Sequence, residues 1–331
     1  MQRLKYIYIL VFFSSINFLY GQDPQFTQFY SNPMYQSPSF AGAVEGYRVS
    51  LNYRDQWPAL PGKITTASFA LDYNLAGFNS GLGIIVMRDK LGSSNLTNLN
   101  VGFLYAYNIR ISRKIFFRPG LGFYYFQRSF NPEELISSSM IYGQQNNGSI
   151  TSPFDDEKLA DKTQAADASV SGLLFVHNFW IGLTADHLIT PNVSFTEKVS
   201  RLPIKINLYG GYRFYKVERL ISTKKQSITI VGALRHQGLA DQMDMGLYWS
   251  YEPIILGVWY RDLPFIKDFS RRDAIALLVG YKYMNLSVGY SYDFTVSRMI
   301  TNTGGAHEIS LIYKFDVEQR KKFKPIPCPM F

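Results

Sequence analysis

The chain has 331 residues, 47% of them hydrophobic and 16% aromatic, with 34 Lys and Arg against 25 Asp and Glu. One cysteine, Cys328, rules out an internal disulfide. Beyond Gly21 no stretch approaches the ~20 apolar residues of a helical membrane span, and the basic surplus forms no basic-aromatic patch of the kind that reads nucleic acid.

Arg3 and Lys5 precede an apolar run from Tyr6 to Tyr20, and Gly21 stands before Gln22. This is the layout of a cleavable secretory signal over residues 1–21. No cysteine lies near the cleavage site, which excludes a lipoprotein. Loss of Arg3 and Lys5 leaves 32 basic residues against 25, a formal +7. Part of that surplus sits in a basic tail, 317–331, with Arg320, Lys321, Lys322 and Lys324.

Residues 22–46 form an aromatic-proline segment. Asp23 suits an N-cap and Pro24 a first helical position. Phe26, Phe29 and Tyr30 then share one helical face until Pro33 forbids continuation. The expectation is one or two helical turns, followed by an aromatic run through Tyr35, Pro38 and Phe40 into the first strand. Such an element needs an apolar surface to dock on.

The rest alternates with period two. In 285–294 one face reads Leu, Val, Tyr, Tyr, Phe and the other Asn, Ser, Gly, Ser, Asp. Period two over about ten residues, with a polar second face and tyrosines near strand ends, is the pattern of a membrane β-barrel strand. The fold class is therefore all-β: a transmembrane outer-membrane barrel over 47–316. Fourteen strands are expected near 47–55, 63–74, 81–89, 96–109, 114–127, 166–176, 178–187, 204–216, 226–237, 243–251, 253–261, 273–282, 284–294 and 306–316. An even count returns both chain ends to the periplasm. The second, fourth, sixth, tenth and twelfth connections are short and the alternate ones longer, as periplasmic turns and external loops are; 217–226 is the exception. The longest, 128–165, is expected outside. By the same logic Phe26, Phe29 and Tyr30 start beneath the barrel, as a plug or lid of its periplasmic mouth.

Strand parity sends Arg54, Asp186, Lys205, Arg235, Asp244, Arg261, Asp293 and Glu308 inward near the external end. Four are basic and four acidic, which favours a paired lattice or closed lumen over a single-sign funnel. Parity turns His187, His236 and His307 outward. No enzyme constellation emerges: no serine is spaced to such a histidine, and the three histidines make a poor metal set. Asp155-Asp156-Glu157 with Asp161 lacks a calcium-loop spacing. Gly-x-Gly at 81–83 and 120–122 reads as strand interior needing small inward residues, not as a phosphate loop. No metal or cofactor is expected. Polar groups, Trp57 and glycines gather at the external strand ends and suggest a recognition rim. The external rim and lumen candidates are Arg54, Gln56, Trp57, His187, Arg235, Gln237, Asp244, Arg261, Asp293, His307 and Glu308. The plug candidates are Asp23, Pro24, Phe26, Phe29, Tyr30 and Tyr35.

Gln22-Asp23-Pro24-x-Phe26-x-Gln28-Phe29-Tyr30, with Pro33, Tyr35, Pro38 and Gly42, followed by Tyr53-Arg54-Asp55-Gln56-Trp57-Pro58, resembles the PorP/SprF family. So do Asp186-His187-Leu188, Gln237-Gly238, Gly257-x-Trp259-Tyr260-Arg261, Gly289-Tyr290-Ser291-Tyr292-Asp293, Gly305-Ala306-His307-Glu308 and Cys328-Pro329. Met34 stands where leucine is common, and Ser37 and Ser39 depart from the usual residues around Pro38. The resemblance implies an outer-membrane barrel of the type IX secretion system, needed for secretion or surface attachment of a large adhesin, in some bacteria a gliding adhesin. Its implied partners are the adhesin's C-terminal domain and other type IX components, within the outer-membrane lipid. The competing reading is a diffusion channel or substrate-specific transporter. An outer-membrane lipase lacks a candidate serine.

Overall fold

The computed structural model describes residues 23–28, 30–60, 62–92, 96–130, 160–196, 199–216, 226–262, 274–295 and 303–315. Among them, fourteen antiparallel strands close into one barrel. They are β1 Tyr47–Gln56, β2 Ile64–Leu75, β3 Ser80–Leu91, β4 Leu96–Tyr107 (extended by Ile109–Arg110), β5 Ile115–Ser129, β6 Lys162–Val176 and β7 Phe179–Asp186. The second half comprises β8 Lys205–Lys216, β9 Gln226–Gln237, β10 Ala240–Tyr251, β11 Ile254–Asp262, β12 Ala274–Tyr283, β13 Leu286–Thr295 and β14 Ala306–Phe315. Each strand pairs with its sequence neighbours, and β1 closes on β14 with Tyr47 opposite Phe315 and Arg54 opposite Glu308. Closure leaves no unpaired strand edge.

The two faces separate as the alternation requires. On β13, Val288, Tyr290 and Phe294 are exposed, while Ser287, Ser291 and Asp293 are buried. Leu51 and Tyr53 on β1, Phe69 on β2 and Ile84 on β3 continue the outward belt. A contiguous apolar surface of this extent faces hydrocarbon, not water. Aromatics crowd its ends: Tyr47 stacks on Tyr73 at 4.1 Å, and Tyr313 meets Phe315 edge-on at 4.6 Å.

One end of the barrel carries short turns, at 76–79, 111–114, 177–178, 252–253 and 284–285. The other carries the longer connections 57–63 and 187–204. One connection departs from the expected asymmetry. The ninth, at the long-loop end, shrinks to Gly238-Leu239 because β10 starts at Ala240, and Gly238 takes the φ of +63° that so tight a turn needs. The expected signal 1–21, the tail 317–331 with Cys328, and the acidic run 155–157 lie outside the described residues, as does Phe29.

Residues 23–46 correct two expectations. No helix follows Pro24; one α-helical turn, α1, spans Pro33–Gln36, starting on the proline expected to end it, and Pro38–Phe40 makes a 3-10 turn. Nor does the segment merely close the short-turn mouth. It runs the length of the lumen, from Asp23 beside His187 at the long-loop end to Gly42 beside Asp72 and Asn74 at the short-turn end. The helix fails for a simple reason: wall side chains take the backbone groups that would otherwise bond along the chain, as the amides of Thr27 and Gln28 both go to Glu308.

The Gly-x-Gly motifs find their reason here. A Cβ on Gly81 would lie 2.0 Å from the Ala41 carbonyl oxygen, and one on Gly120 would lie 2.4 Å from the Ser39 nitrogen. Only glycine lets the segment's backbone touch the wall at these points. Gly81→Val and Gly120→Val should therefore push residues 38–42 off the wall, at a cost of about 1–3 kcal/mol or more each. Limited proteolysis of the detergent-purified variants should cut within 23–46 while the strands stay protected. A segment as resistant as in wild type would contradict this packing.

Candidate functional site

The lumen is built in three layers around the inserted segment. At the long-loop end lies a charged belt. Glu308 accepts from the amides of Thr27 (2.7 Å) and Gln28 (2.9 Å) and from Arg54 Nη1 (3.2 Å). Arg54 Nη2 donates to Asp293 (2.8 Å), which also accepts from the Thr27 hydroxyl (2.6 Å). Arg261 bridges Asp293 (3.6 Å) and Asp244 (3.2 Å), and Arg235 also donates to Asp244. Gln28 is tied on both sides of its amide, donating to Ser291 and accepting from Ser310.

The belt continues to the segment's first described residue. Asp23 accepts from Lys205 Nζ (2.6 Å) and pairs with His187 Nε2 (2.9 Å), while its own amide donates to Gln237 (3.1 Å). His187 Nδ1 meets Asp167 at 2.5 Å, and Lys205 also reaches Asp186 at 3.2 Å. Burial by itself would lower the pKa of His187, but Asp23's charge and the hydrogen bonds that the ring donates to Asp167 and Asp23 outweigh it, lifting the ring to about 10. The imidazole is therefore a cation at neutral pH.

Below the belt the contacts become aromatic. Tyr30 sits among Trp180 (6.2 Å), Tyr248 (6.4 Å) and Trp259 (6.2 Å), and Phe40 packs on Tyr209 at 5.6 Å. Phe26 meets Tyr35 edge-on at 5.4 Å, and the Tyr35 hydroxyl donates to the Pro24 carbonyl. At the short-turn end a second polar layer closes the lumen. Arg48 binds Asp72 through two donors, 2.8 and 2.9 Å, and Asp72 also accepts from the Gly42 amide. Arg118 donates to the carbonyls of Ser39 (3.0 Å) and Ala41 (2.5 Å).

Set against the sequence expectations, all eight inward charges face the lumen as parity required. They are spent on the segment and on one another. His187 is corrected: it is buried and inward, because the chain leaves β7 at Asp186 and takes a left-handed φ of +60° at His187, so strand parity no longer applies. His236 and His307 do lie outward, with His307 bonded to the Tyr290 hydroxyl at 2.8 Å. Gln56 and Trp57 are half-buried at the end of β1. Trp57 holds a φ of +58°, its amide bonded to the Gly305 carbonyl at 2.8 Å. Sequence reasoning missed Asp167, the Arg48–Asp72–Arg118 layer and the lumenal aromatics. Their signal was parity: Arg48 shares a face with Arg54, Trp180 with Asp186, and Trp259 with Arg261.

A closed barrel with an apolar outer belt and an internally bonded plug defines an outer-membrane-type β-barrel. The chain belongs to the PorP/SprF family: the family described as type IX secretion system membrane protein PorP/SprF matches residues 18–313. Similar solved structures include the Pseudomonas putida toluene transporter TodX, at 10% identity over 85% of this chain and 92% of that one, with a TM-score of 0.46. The Ralstonia pickettii toluene transporter TbuX follows at 11%, 85%, 93% and 0.47, and the KdgM porin at 9%, 81%, 99% and 0.35. Likeness at that level attaches no substrate to this chain. Comparison with curated proteins returned no match.

Two outcomes follow from the belt. Arg54→Leu removes the nearest cation from the buried carboxylates of Asp293 and Glu308, at a cost of about 3–5 kcal/mol. Adding Glu308→Gln should recover part of that loss, and thermal unfolding in detergent measures both. For His187 the folded pKa lies above the ordinary 6.5, so its contribution is complete below that value and is lost as pH rises through about 10. Wild-type stability should fall over that window, and His187→Gln should flatten the slope.

Proposed function

We propose that this barrel is a closed outer-membrane anchor that holds the C-terminal domain of a partner adhesin at its external mouth. The observation that carries this reading is the filled lumen: residues 23–46 bond to the wall in all three layers, a build suited to fixed shape more than to passage. Membership of a type IX secretion family supplies the setting, with other secretion components as partners. In this reading the short turns face the periplasm and the long-loop mouth faces outside. Both barrel ends, Tyr47 and Phe315, are then periplasmic, while in a chain cut after a signal over 1–21 Asp23, near the new start, lies at the outer mouth. The recognition rim is then Gln56, Trp57 and His307, held from beneath by the charged belt. Trp57 is the strongest candidate, a large amphipathic ring fixed at the mouth by a bonded backbone. The mechanism is surface complementarity, with no bond made or broken.

Two measurements test this. The purified protein should give no stepwise conductance in planar bilayers; open-channel steps would instead support a diffusion channel. Deleting the gene should abolish surface display of an adhesin encoded beside it, and Trp57→Ala should reduce that display with barrel assembly intact. Unchanged display in the deletion strain sinks the reading.

A further inference from the structure

The inserted segment shows how this wall binds an extended chain. Inward amides donate to its carbonyls, Asn74 to Gly42 (2.6 Å) and Asn207 to Gln36 (3.3 Å). Arg118 takes two more carbonyls, while Glu308 and Ser171 accept from its amides. The lumen is not filled evenly, however. Between the segment, the β3–β5 wall and a lip of Val193 and residues 200–203 lies a cavity of about 540 Å³ at the long-loop end. That is the size of a small-molecule or short-peptide site.

The same chemistry continues there with atoms to spare, although Asn98 also bonds Asp89 and Arg128 lies 5.8 Å from the centroid of the Phe195 ring. Asn98 and Asn100 lie two apart on β4, on one face, about 6.8 Å apart along the strand. That is also the repeat at which an extended peptide presents successive amides to one side. The Oδ1 atoms of both, and Nε of Arg128, are buried with no hydrogen-bond partner among the described residues. Such groups are costly to leave unpaired. Ile85, Met87, Phe126 and Leu202 supply an apolar lining. The carboxylates on the far side, Asp23, Asp167 and Asp186, are already paired with His187 and Lys205, which argues against a cation as occupant.

We propose that this cavity seats a short extended, apolar segment of a partner polypeptide entering from the long-loop mouth. Its backbone amides donate to Asn98 and Asn100, and a carboxylate, terminal or side-chain, lies against Arg128. This rests on the anchoring reading above and gives the partner a chemical description: a strand-like apolar peptide with one nearby negative charge.

The test uses the full-length protein in nanodiscs and a fluorescein-labelled hexapeptide of alternating leucine and valine ending in a free aspartate. Anisotropy should show saturable binding. N-methylation of alternate backbone amides, Asn100→Leu or Arg128→Leu should each weaken it about tenfold, and Met87→Trp, which fills the cavity, should abolish it. Circular dichroism and heat-modified gel mobility confirm that each variant is a folded barrel. Equal binding of the N-methylated peptide, no saturable binding to wild type, or binding of the apolar dye 1-aminoanthracene without the peptide would each overturn the proposal. In cells, an adhesin lost from the deletion strain but displayed by Met87→Trp overturns the cavity's role and leaves the anchor standing. Display retained in the deletion strain overturns the anchor, and the peptide titration then decides the cavity by itself.

Discussion

One carboxylate carries much of this architecture. Glu308 is fully buried, and it accepts from two consecutive backbone amides of a segment about 280 residues away in sequence, as well as from Arg54. An extended chain inside a closed lumen cannot satisfy its own amides and carbonyls, and leaving them unpaired away from water is costly. Several wall residues answer that constraint directly: Glu308, Ser171, Asp72 and Gln237 for amides, Arg118, Asn74 and Asn207 for carbonyls. Outside the cavity beside β3–β5, the lumenal side of the barrel is complementary to the chain's own segment.

The layering follows from what burial demands. Charges out of water are tolerable only when paired and further hydrogen-bonded, and the belt obeys this residue by residue, with Asp293 shared between Arg54, Arg261 and Thr27. Such lattices contribute little net stability compared with apolar packing of the same volume, but they penalise any misplacement of a partner. The aromatic middle layer supplies the apolar burial that the belts do not, with Tyr30 and Phe40 filling space among Trp180, Tyr209, Tyr248 and Trp259. Attraction resides in the middle and register at the ends.

Much of this was legible in the sequence, because period-two alternation has so few solutions. Strand β9 falls on the expected 226–237, and the inward charges from Arg54 to Glu308 follow from parity alone. What escaped did so for physical reasons. His187 lies one residue past a strand end, where a left-handed turn cancels parity. The helix expected after Pro24 rested on local capping preference, and long-range bonds to Glu308, Asp293 and Gln237 overrode it. Tyrosines near strand ends read as the lipid girdle, and Trp180 and Trp259 went unread, although both stand at inward parity, where a ring needs something inside the barrel to pack on. That omission hid how deep the inserted segment goes.

The seam between β1 and β14 lies directly over the inserted segment. Arg54 and Glu308 are direct cross-strand neighbours there, and Thr27 bonds to both. The first and last strands to leave the chain's ends thus meet over a residue that precedes them both. A cylinder closed without the segment would bring Arg54 against Glu308 with the carboxylate's two amide donors missing. The segment is a clasp on the closure itself, holding the first strand and the last through one residue.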